Sequence, residues 1–228
     1  MQPFPDVEKI IRQTQRYEFA DGLRDIQIGL MFMTYGFVGW LIFEPAWIGF
    51  IYRLKLNFGA WAMWVAILLL LILPAVVADL VRRAAQAIRQ RRLWRQSGFV
   101  KPSRWVMPRR ANGIAVALFL LALGISLVLK ILLAWENEGI WRLIWVATGL
   151  ATGYTFIHFG RYLGLRHYVW VGILGALGAI VLQLLPLTFG QSFLGFALAW
   201  GLVFLVSGLV VLQKALRPSE GQSDEQPG

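Results

Sequence analysis

The residues best suited to chemistry lie just ahead of a strongly apolar stretch. From position 16 the chain reads Arg-Tyr-Glu-Phe-Ala-Asp-Gly-Leu-Arg-Asp, which crowds Glu18, Asp21, Arg24 and Asp25 into eight residues. Carboxylates at that density can hold a cation or a charged ligand, or they can pair with arginine and fix the fold. A run of basic residues between positions 82 and 110 offers the arginines. Pairing that ties the cytoplasmic ends together is therefore the expected role. A ligand site at the mouth of a helix bundle is the alternative, and a membrane-embedded enzyme using Glu18, Asp21 and Asp25 comes after it.

Asp21–Gly22 followed by Arg24 resembles the acidic start of the CDP-alcohol phosphotransferases. Those enzymes need further aspartates at fixed spacing to hold divalent metals. Here the next acid on the same side is Asp79, so that reading is set aside. Other catalytic signatures, GxSxG, Walker A and HExxH, do not occur. With no cysteine, neither a thiolate metal site nor a disulfide can form. The two histidines, His158 and His167, lie nine residues apart without a metal-binding pattern. No cofactor and no metal are expected.

A second polar set recurs at helical spacing. Thr148, Thr152 and Thr155, with Tyr154 and His158, could line a seam through the bilayer, and His158 titrates in a range useful to a proton relay. The simpler expectation is that the threonines bond their own i−4 carbonyls and that His158 is structural. Gly149, Gly153, Gly172, Gly175 and Gly178 read as close helix packing.

The elements that must position these residues are apolar throughout. Of 228 residues, 58% are hydrophobic and only 15% charged, and mean hydropathy is +0.62. A soluble domain holds about 25% charged residues, and this much apolar surface has nowhere to hide in one. The fold class expected is an all-α integral membrane protein with six transmembrane helices: Ile26–Phe43, Phe58–Val77, Ile114–Leu133, Ile140–Phe159, Tyr168–Leu187 and Phe193–Leu212. Residues 1–25 form a cytoplasmic amphipathic segment, 26–212 the membrane domain and 213–228 a disordered cytoplasmic tail. Pro74 and Pro186 fall inside spans, and Ala46–Tyr52 is expected as a short interfacial helix or hairpin. The charged N-terminal segment lacks the apolar run of a cleaved signal peptide.

Orientation follows from lysine and arginine. Eighteen of the 22 fall on the side of the termini, ten of them between spans 2 and 3. Cytoplasmic segments collect such charge, so both termini are expected in the cytoplasm of a multi-pass cell-membrane protein. Val7, Ile10, Ile11, Thr14 and Tyr17 give the N-terminal segment one apolar face, and Gly22 is placed to end that helix before span 1. After span 2 a basic helical extension carries Arg82, Arg83, Arg89, Arg91, Arg92 and Arg95, followed by Trp105, with Trp94 interleaved. That surface suits anionic lipid or a protein partner, and at the least it sets the topology. Its place against the bilayer argues against nucleic acid. The expected function is a non-catalytic accessory or scaffold subunit, with a small-solute or lipid channel or transporter as the alternative. Assembly with a membrane or cytoplasmic partner, or with copies of itself, fits either.

Overall fold

The computed structural model describes residue 16, residues 19–90 and 139–216, and scattered positions between 113 and 128. Most of the amphipathic N-terminal segment, the loop beyond position 90, most of span 3 and the tail lie outside the described residues. The described part is all-helical: α1 Leu23–Phe43, α2 Pro45–Phe58, α3 Ala60–Ile88, α4 Gly139–Leu163, α5 Arg166–Gln183 and α6 Phe189–Leu216. Four of these, α1, α3, α5 and α6, are long and apolar enough to cross a membrane. The helix α4 has the length as well, and carries three threonines, two tyrosines, a histidine and two arginines among its apolar residues.

Local chemistry sets where each helix begins and ends. Gly22 precedes α1 with φ 73, a left-handed conformation that costs glycine little. The Asp21 carboxylate accepts a hydrogen bond from the Leu23 N–H at 3.0 Å, which satisfies one of the donors a helix start leaves open. Glu44 is extended because the residue before a proline is disfavoured in helix, and Pro45 then opens α2 at the position where its missing N–H does no harm. Pro45 thus starts a separate 14-residue helix, longer than the interfacial piece expected at Ala46–Tyr52. α3 takes a buried Pro74 within its apolar run and continues past that run to Ile88, so the helical extension is present as far as it is described.

The tight turn from α4 to α5 is a Schellman motif. Gly164 takes φ 69, and the N–H groups of Leu165 and Gly164 donate to the carbonyls of Gly160 and Arg161 at 2.8 and 3.3 Å. α5 ends at Gln183, four residues before the expected end of span 5 at Leu187. Pro186 therefore lies in the connection and not inside a span. It can neither donate to nor follow the preceding turn. Thr188 and Gln191 then form a capping box: the Thr188 N–H donates to Gln191 Oε1 at 3.1 Å, and the Gln191 N–H donates to Thr188 Oγ1 at 3.3 Å.

The most extensive packing is between antiparallel pairs, α1 on α6 and α4 on α5, with α5 also against α6. Glycines let the backbones meet. A Cβ at Gly29 would stand 2.7 Å from the Gly201 carbonyl oxygen, one at Gly208 2.6 Å from that of Gly22, and one at Gly153 2.7 Å from that of Gly172. Small residues serve this purpose in membrane helices, where backbones gain packing by close approach. Where α4, α5 and α6 meet, Phe156, Phe159, Tyr168, Phe196, Trp200 and Phe204 form a buried aromatic core joined by Phe19 from below α1. Trp200 lies against Gly175, where a Cβ would come within 2.5 Å of the indole. Among the described residues α3 packs chiefly on α1 and α2, and Trp61, Trp64, Leu68, Leu69, Leu71 and Ile72 are exposed on it.

Candidate functional site

The acidic cluster is the most developed polar assembly among the described residues. The turn before α1, the end of α3 and the first turn of α5 converge on it. Arg89, the first residue past α3, donates from Nε to Asp21 Oδ2 at 2.6 Å and from Nη2 to Asp21 Oδ1 at 3.0 Å. Both partners are buried, at 8% and 7% exposure. Two parallel bonds from a planar guanidinium to one carboxylate are the strong form of an ion pair. With the Leu23 N–H added, the Asp21 carboxylate accepts three hydrogen bonds.

Asp25 lies one helical turn further on and is fully buried. Tyr168, itself without exposed surface, donates its hydroxyl to Asp25 Oδ1. His167 Nε2 stands 3.3 Å from Oδ2, close enough to pair when the imidazole is protonated but not aligned as a hydrogen bond. The Tyr168 ring is wedged among Phe19, Phe156 and Phe159, which fixes where its hydroxyl points. Arg24 donates from Nη1 to Gln27 Oε1 at 2.8 Å and stays out of the carboxylate pairing. Glu18 lies outside the described residues.

Carboxylate, phenol and imidazole together can hold and pass a proton. Among the described residues no group of three His, Asp or Glu side chains could hold a metal ion.

In the second candidate set, two of the three threonines bond along their own helix. Thr148 and Thr155 donate their hydroxyls to the carbonyls of Ile144 and Ala151, four residues back, at 2.7 and 2.9 Å. Thr152 is half-buried. Tyr154 and His158 stack on one another with centroids 6.2 Å apart. A cavity of about 350 Å³ lies elsewhere, between α1 and α6, walled by Ile28, Phe32, Tyr35, Phe193, Phe196 and Ala197 among others. Its lining is apolar, and none of the five seam residues borders it.

Of the basic surface, Arg82 and Arg83 are exposed and share Asp79 at 2.8 and 2.7 Å. Arg89 is turned inward to Asp21. Arg91, Arg92, Trp94, Arg95 and Trp105 lie outside the described residues.

His167 and Tyr168 belong to the cluster and were not singled out by sequence reasoning. One signal could have found them. The charge count places the 161–166 turn on the same side as Asp25, and the first turn of the next helix is then within reach of that carboxylate. No protein-family model, no curated protein and no solved structure is significantly similar to this chain.

Proposed function

We propose that this chain is a six-span protein of the cytoplasmic membrane, with both termini in the cytoplasm, that acts as a non-catalytic accessory or scaffold subunit. The observation that supports it most is the closed polar cluster. Asp21 and Asp25 are taken up by Arg89, Tyr168 and His167, and so join α1, α3 and α5 at one end of the molecule. Asp21 is spent on Arg89 and one oxygen of Asp25 on Tyr168, and these contacts brace the helix ends as a platform. That same end carries the exposed Arg82 and Arg83, with Arg161 and Arg166 exposed at the α4–α5 turn. A rigid platform rimmed with arginine suits an anionic lipid leaflet or an acidic face of a partner subunit.

The placement of helix ends is consistent with the charge-based orientation. The arginine-rich turn, the end of α3 and the start of α1 share one end, while Phe43 meets Phe189 at the other, with ring centroids 5.1 Å apart.

Two experiments test the reading together. A fluorescent reporter that matures only in the cytosol, fused at Gly228, is expected to glow, and alkaline phosphatase fused after Gly139 is expected to be active. Purification in mild detergent is expected to retain a stoichiometric partner that Arg82→Glu/Arg83→Glu releases. A dark reporter with an idle phosphatase refutes the topology, and a chain purified alone from both backgrounds refutes the accessory role.

A second reading, lipid handling, has the α1–α6 groove in its favour, since an apolar recess of about 350 Å³ fits an acyl chain better than a polar solute. Lipid movement in reconstituted vesicles that stops on Ala197→Trp would favour it over the scaffold.

A further inference from the structure

At the end of the molecule opposite the acidic cluster, buried polar side-chain atoms from three helices are left without partners. They are Trp145 Nε1 on α4, both amide atoms of Gln183 on α5, and Ser192 Oγ on α6. Ser192 is completely buried, and its backbone N–H is already bonded to the Thr188 carbonyl.

Helix geometry brings the three together. A Cβ at Gly149 would contact Ala179 and, at 3.5 Å, the Phe196 ring, so α4, α5 and α6 meet there. One turn toward the α5–α6 connection takes Gly149 to Trp145, Ala179 to Gln183 and Phe196 to Ser192, since residues four apart share a helix face. Ring contacts agree. The Trp145 indole lies 5.5, 4.7 and 5.5 Å from Phe189, Phe193 and Phe196, the residues that bracket Ser192 on α6. The end of α5 also lies on the first turns of α6, where a Cβ at Gly195 would touch Leu182 at 3.3 Å.

Leaving a buried donor or acceptor unpaired costs about 1–3 kcal/mol each, and buried polar groups in native proteins nearly always find a protein or water partner. The geometry points to a binding site for small, neutral, hydroxyl-bearing molecules between α4, α5 and α6, held by Trp145, Gln183 and Ser192. The chemistry of the three groups sets the class. An indole offers one donor, a primary amide two donors and an acceptor, and a hydroxyl one of each kind. None carries charge, so ions have nothing to balance them, while a water cluster or a polyol hydroxyl fits every group. This site is independent of the scaffold reading, because it shares no residue with the acidic cluster or the basic rim.

The test uses the full chain in lipid nanodiscs and reads thermal unfolding of Gln183→Met, Ser192→Ala and the double variant. A shared bound molecule makes each single variant melt lower by several degrees and makes the double variant little worse than the worse single. A melting point that rises on Gln183→Met, or single losses that simply add, overturns the site. A high-resolution map of the wild type is expected to show density at hydrogen-bonding distance from Trp145 Nε1, and clean apolar contact there also overturns it. Glycerol distinguishes the two sources: a polyol site gains more melting temperature from it in the wild type than in the double variant, whereas a water site gains the same in both.

Discussion

Arg89 closes on Asp21 with two hydrogen bonds of 2.6 and 3.0 Å across 68 residues of sequence, and both side chains are shut away from solvent. The pair ties the turn before α1 to the end of α3. Outside the contacts of α1 and α2, α3 has little to rest on among the described residues. Removing one member of a buried pair leaves the other charge uncompensated, which costs about 3–5 kcal/mol. Arg89→Gln is expected to destabilise by that amount in nanodisc unfolding. The double variant Asp21→Asn/Arg89→Gln is expected to lose clearly less than the two single losses added, as coupled partners do.

Tyr168 offers a test of the other carboxylate. Tyr168→Phe keeps the ring among Phe19, Phe156 and Phe159 but leaves Asp25 without its phenol donor. An unpaired buried acceptor costs about 1–3 kcal/mol, so unfolding at lower temperature with an unchanged fold is the expected outcome. A variant as stable as the wild type would show that the hydroxyl contributes nothing to holding α5 against α1.

The contact between α1 and α6 depends on backbone approach at glycine. Gly208→Ala would place a methyl 2.6 Å from the Gly22 carbonyl oxygen and push the helices apart. Overpacking of this kind costs about 1–3 kcal/mol. Gly49 in α2 faces open space, and a methyl added there would meet nothing within 4 Å. Gly49→Ala is therefore expected to be neutral or stabilising by about 0.5–1 kcal/mol through helix propensity. Melting temperatures of the two variants, measured side by side, check the contrast.

Arg82 and Arg83 test the proposed contact with anionic lipid. Both are exposed, and both lean on the single carboxylate of Asp79. A basic residue near an anionic leaflet contributes enough that removing it weakens headgroup binding by about five-fold. Native mass spectrometry of protein released from mixed vesicles is expected to show anionic lipid retained by the wild type and largely lost from Arg82→Gln/Arg83→Gln. The loss should deepen with added salt, since exposed charges are screened.

Much of the architecture was readable from residue order, because length and polarity in a bilayer leave few options. Long apolar runs without alternation have to be helices, since only a helix satisfies its own backbone in lipid. The helical continuation after span 2 and the break at Gly22 were readable for the same kind of local reason: helix-forming residues in one case, a glycine free to take positive φ in the other. Boundaries set by proline and by caps were less readable. Pro45 opens a helix and Pro186 lies in a turn, while the same residue type at position 74 sits inside α3; the difference depends on which neighbours can satisfy the freed carbonyls.

Sequence by itself determined that the chain is helical and apolar, with its arginines concentrated between the apolar runs, because these properties add up residue by residue. Only the tertiary structure decided which arginine meets which aspartate and that a tyrosine and a histidine from α5 complete the cluster. It also decided that Thr148 and Thr155 satisfy themselves along their own helix. Pairing between helices depends on their relative rotation and depth. Those are set by where glycines such as Gly29, Gly201 and Gly208 let backbones touch, and no single helix carries that information alone.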